Sequence, residues 1–148
     1  MRVFLNRTIV VVAIMAVIAS TGASWARDSV EDLLTLGNQA LVQQRYNKAA
    51  GYYEAIIERK PGHPDALMGL ATAFEGEGQS EKAMELLHAL TQSSPMYAPA
   101  YLLKGEIAEK QGQVAEAKGY YQQYIQHSQG QLPKSPRLLI KFRKWGLL

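Results

Sequence analysis

PDALMGLATAFEGEGQSEKAMELLHALTQSSPMY, residues 64–97, holds two helical patterns with a stop between them. Leu67, Leu70 and Phe74 recur at helical spacing, and so do Ala83, Leu87 and Leu90. Pro64 suits a first helical turn, where a missing N–H costs nothing. Gly78 suits the left-handed residue that ends a helix, and Ser80 is placed to cap a helix starting at Glu81. The pattern predicts helices over 64–77 and 81–93, joined by a tight turn.

The stretch is one copy of a unit 34 residues long. Ala49, Ala83 and Ala117 repeat at that interval, as do the small residues Gly37, Ala71 and Gly105. Leu33, Leu67 and Tyr101 keep the phase, and so do Tyr53, Leu87 and Tyr121. Pro61 recurs as Pro95, and Gly51-Tyr52-Tyr53 recurs two units later as Gly119-Tyr120-Tyr121. The flanking units therefore predict helices over 30–43, 47–60, 98–111 and 115–128. Ser29 and Asp32 make a capping-box start, and Pro99 suits a first turn. Gln44 stands where the later units have Gly78 and Gly112, so its turn is expected to be strained. Small residues let antiparallel helices approach to about 8 Å, and Gly37, Ala71 and Gly105 are expected to face Ala49, Ala83 and Ala117.

This pattern resembles the tetratricopeptide repeat family. The residues carrying the resemblance are Leu36-Gly37, Tyr46, Ala49, Tyr53 and Pro61. In the second unit they are Leu70-Ala71, Phe74, Gly78, Ala83 and Pro95. In the third they are Gly105, Gly112, Ala117 and Tyr121. Leu33 and Leu67 depart from the family's aromatic, and Gln129 replaces the closing proline. The resemblance implies an all-α, right-handed solenoid of three helix-turn-helix hairpins, over about 30–63, 64–97 and 98–129 within residues 27–129. Three stacked hairpins bury what one cannot.

The resemblance also implies a concave groove lined by the first helix of each pair. It would carry Leu34, Asn38, Leu41 and Val42, then Met68, Thr72 and Glu75, then Leu102, Glu106 and Glu109. Family members that grip a C-terminal carboxylate use Lys, Arg and Asn here, and only Asn38 matches. The surface is apolar with an acidic end and suits an apolar or basic peptide segment. The bland alternative is that Leu41, Val42 and Met68 are core or inter-repeat contacts.

Charge is divided unevenly. Residues 27–129 carry 9 basic and 13 acidic residues, while residues 130–148 carry 5 basic residues and no acid. Beyond Pro133 and Pro136, Leu138, Leu139, Phe142 and Trp145 share one helical face, with Arg137, Lys141 and Lys144 largely opposite. One reading is a seventh helix capping the last hairpin. Another is a basic amphipathic segment in which Arg137, Lys141, Phe142, Lys144 and Trp145 touch anionic lipid or an acidic partner. A third docks the tail of one molecule in the acidic groove of another, giving a homo-oligomer. The patch is too short to suggest nucleic acid.

Residues 1–26 read as an export signal. Arg2 and Arg7 precede the uncharged run Thr8 to Ala26, which ends in Ser24-Trp25-Ala26. Cleavage after Ala26 or Ala23 fits, and the expected setting is a bacterial periplasm. The alternative is an uncleaved inner-membrane anchor, since the run approaches the roughly 20 residues that span a bilayer. The chain has no cysteine, which excludes disulfides and thiolate metal sites. His63, His88 and His127 lack the spacing of a helical metal site. Ser93 and Ser94 lack a nucleophile's glycine-flanked elbow. The pairs Glu75–Glu77 and Glu106–Glu109 read as solvated helix faces. The expectation is a non-catalytic scaffold or adaptor with no cofactor and a protein or peptide partner.

Overall fold

The computed structural model describes residues 28–129, 131 and 133–148, so the expected leading segment 1–26 lies outside the described residues. Seven helices follow one another among the described residues: α1 (Val30–Val42), α2 (Tyr46–Arg59), α3 (Pro64–Gly76), α4 (Ser80–Ser93), α5 (Ala98–Lys110), α6 (Val114–His127) and α7 (Pro136–Lys144). The first six form three hairpins, and every boundary falls within one residue of the periodic expectation.

Local chemistry explains the starts and stops. The Ser29 hydroxyl accepts the Asp32 N–H at 3.1 Å, and the Asp32 carboxylate accepts the Ser29 N–H at 3.1 Å. His63 caps α3, its ring Nδ1 accepting the Ala66 N–H at 3.4 Å. Ser80 does not cap α4 as expected, because the helix begins on it. Its hydroxyl instead donates to Glu75 at 2.6 Å. Gly78 and Gly112 take the left-handed conformation at φ +77° and +79°, and Gln44 does so at φ +57°. A side chain there costs about 1 kcal/mol or more. Gln44→Gly is expected to stabilise the protein by about 0.5–1 kcal/mol, and Gly78→Ala to destabilise it by about 1 kcal/mol, read as opposite shifts in thermal melting.

The small-residue columns work differently from the expected glycine-on-alanine contact. Ala49, Ala83 and Ala117 are fully buried. What meets Gly37, however, is the ring of Tyr53, 2.8 Å from where a Cβ would stand. The same ring also meets the next hairpin at Gly69, where a Cβ would stand 2.3 Å away. Tyr53 is thus wedged between two first helices, with no exposed surface. In the second unit the corresponding places are Ala71, Leu87 and Leu103, which share one buried cluster. Gly105 and Tyr121 repeat the glycine–tyrosine solution in the third.

The first helices also set the curvature. α1 touches α3 and α3 touches α5, whereas the second helices of successive units scarcely approach. The first helices therefore make the shorter, inner wall of a curved stack. α7 closes the far end. Its Phe142 is fully buried, with its ring centroid 5.1 Å from that of Tyr121, and Trp145 lies 5.8 Å from the same ring. The tail is therefore a cap, and Phe142 belongs to the core, not to a surface contact.

Candidate peptide-binding site

The residues expected to line the inner wall stand in distinct states of burial. Leu34 and Leu41 are half-buried and pack on the first cluster, Met68 on the second and Leu102 on the third. Each packs on the core and keeps part of its surface exposed. Val42 is 85% exposed, so it is not a core contact. Thr72 turns its hydroxyl to its own helix, donating to the Met68 carbonyl at 2.8 Å.

Asn38 is exposed, and its side-chain oxygen accepts the Tyr53 hydroxyl at 2.8 Å. The wedge tyrosine thus orients the amide, leaving its two N–H donors for another acceptor. Tyr121 does the same at the other end, donating to Glu109 at 2.8 Å.

The acidic end is less acidic than the sequence suggests. Lys110 pairs with Glu75 at 2.7 Å, tying the third unit to the second. Lys141 of α7 pairs with Glu109. Burial pushes the Glu109 carboxyl up, but hydrogen bonds from Lys141 and Tyr121, with the charges of Lys141 and Arg137, outweigh it and hold it below the usual range. Glu106 keeps an exposed side chain but stands between these groups. Lost solvation raises its carboxyl above the usual range; Lys141 opposes the rise, and Glu109 and Glu75 add to it.

Sequence reasoning missed these counter-ions because each lies more than 30 residues from its partner. It also missed Lys104, which is 6% exposed in the core column of Leu36 and Leu70. Its ammonium lies 4.6 Å from the Tyr120 ring centroid. Of the remaining tail residues, Arg137 and Lys144 are exposed, while Lys141 and Trp145 are half-buried.

The wedge tyrosines make a pH prediction. Burial pushes the Tyr53 hydroxyl up to about 12. Burial, then the hydrogen bond and charge of Glu109, raise Tyr121 as well. The folded values lie above the unfolded value near 10. Their contribution is therefore complete below pH about 10 and is lost as pH climbs toward 12. Urea midpoints should fall between pH 9 and pH 11.5, and less steeply in Tyr53→Phe.

Sequence profiles of the tetratricopeptide repeat match residues 40–107 and 99–128, together more than half of the chain. The chain is a tetratricopeptide repeat protein. Among curated relatives, cellulose synthase operon protein C of Pseudomonas fluorescens (strain SBW25) is 28% identical over 55% of this chain and 7% of that protein. The tetratricopeptide repeat and J domain-containing co-chaperone DNJ1 of Fusarium oxysporum f. sp. lycopersici is 30% identical over 79% of this chain and 23% of that protein. The tetratricopeptide repeat chain thus spans less than a quarter of either relative. Among solved structures, the Sgt2 TPR domain from Aspergillus fumigatus superposes with a TM-score of 0.69 at 26% identity, covering 78% of both chains. The first TPR of Spaghetti (RPAP3), bound to the HSP90 peptide SRMEEVD, gives a TM-score of 0.66 at 20% identity, covering 79% of this chain and 90% of that one. Among the described residues, no helix is long and apolar enough to cross a membrane, and no three His, Asp or Glu side chains are grouped to hold a metal ion.

Proposed function

We propose that this protein is a non-catalytic adaptor that holds an apolar or basic segment of another polypeptide along its inner wall. The observation that carries this reading is the line of half-buried side chains, Leu34, Leu41, Met68 and Leu102, running along α1, α3 and α5. Solenoids use such inner surfaces for extended partners, and the co-chaperone relative supports a polypeptide as partner. The export signal read in residues 1–26 supports work on the far side of a membrane, most simply in a bacterial periplasm. A tethered form is the second reading, favoured by the uncharged run Thr8 to Ala26.

A photo-crosslinking residue placed at Thr72 on the inner wall, or at exposed His88 on α4, tests the binding face. In the source cell, polypeptide adducts are expected from Thr72 and not from His88. Adducts from His88 alone would overturn the assignment. Mass measurement of the native N-terminus separates the two settings, since a start near Arg27 removes the tether.

A further inference from the structure

A cavity of about 640 Å³ lies between α5 and α7, walled by charges of both signs together with Leu138. Most of these charges are already matched. Lys141 pairs with Glu109, and Lys110 with Glu75. Two have no direct partner: among the described residues, Glu106 on α5 and Arg137 on α7 form no hydrogen bond and no ion pair within 4 Å, although the charge of Lys141 acts on Glu106 and that of Arg137 on Glu109 at longer range. The volume is ample for side chains of a bound segment. Glu106 also belongs to the inner wall, so a chain lying in the hollow passes it.

We infer that this cavity is the selective end of the hollow, accepting a polypeptide segment that brings a cationic side chain to Glu106 and an anionic one to Arg137. The inference rests on the inner wall being the binding face. Charge complementarity carries it. A uniformly acidic segment would meet Glu106 unpaired, and a uniformly basic one would meet Arg137. The cap gives the chemistry its second half, because α7 extends the inner wall with a guanidinium that the three units do not supply.

A phage-displayed library of random 12-residue peptides, panned on the purified protein, tests this. Enriched clones are expected to combine Lys or Arg with Asp or Glu and to bind Glu106→Gln at least tenfold more weakly. Panning on Glu106→Lys should select an acid in place of the base, and panning on Arg137→Glu should select a base in place of the acid. Circular dichroism of each variant, expected to match the parent, controls for folding. If the variants select the same peptides as the parent, while Thr72→Arg abolishes capture, the hollow stands and this inference falls. If no peptide is selected that depends on Thr72, the hollow reading falls and takes the inference with it.

Discussion

Gly69→Leu is expected to unfold the first two hairpins from one another, and Tyr53→Leu in the same chain is expected to restore most of the loss. A Cβ at position 69 would stand 2.3 Å from the Tyr53 ring. That ring has no exposed surface and also meets Gly37, which leaves it little room to swing. Even Gly69→Ala should cost about 3 kcal/mol, the upper end for overpacking, after the gain of about 1 kcal/mol in helix propensity. Leucine adds three more heavy atoms and should exceed that. The second unit shows why the rescue works, since it fills the same three places with Ala71, Leu87 and Leu103. Helical melting should fall by roughly 10 °C or more in Gly69→Leu. A double-mutant cycle should give a large favourable coupling. Additive losses would mean that the two sites are not in contact.

Phe142→Ala is the second large effect. The side chain is fully buried against Tyr121 and Tyr124, and α7 is held chiefly through such rings. Loss of a buried phenylalanine costs about 3–5 kcal/mol. Here the cap should also release, exposing Tyr121 and removing Lys141 from Glu109. The expected readouts are a lower melting temperature and early hydrogen exchange in α6 and α7, with α1 and α2 nearly unchanged, as nearest-neighbour stacking requires. A variant that keeps its stability but loses a surface partner would instead return Phe142 to the contact role read from its sequence.

Six helices were legible because a 34-residue period repeats both the apolar spacing and the stop residues. Gln44 was legible for the same reason, standing in a column of glycines and adopting their conformation. Periodicity reveals columns, but not which column faces which across a hairpin. Gly37 was therefore assigned to Ala49, when a tyrosine ring fills the space between hairpins. At Ser80 a shift of one residue at the start of α4 turns a helix cap into a hydrogen bond to Glu75 across the turn of the same hairpin. The electrostatics of the expected wall were not legible. Glu75 and Glu109 read as free acids because Lys110 and Lys141 reach them only after the chain has folded back by a whole unit.

The inner wall is where another chain is proposed to be held. Methyl NMR during titration with a selected peptide reads this directly, since methyl groups report from both surfaces. The expected result is that Leu34, Leu41, Met68 and Leu102 shift together and saturate at one affinity, while Met84 and Leu86 of α4 stay in place. Shifts confined to Met84, Leu86 and the neighbouring α2 and α6 surfaces, with the four inner-wall residues unmoved, would contradict it.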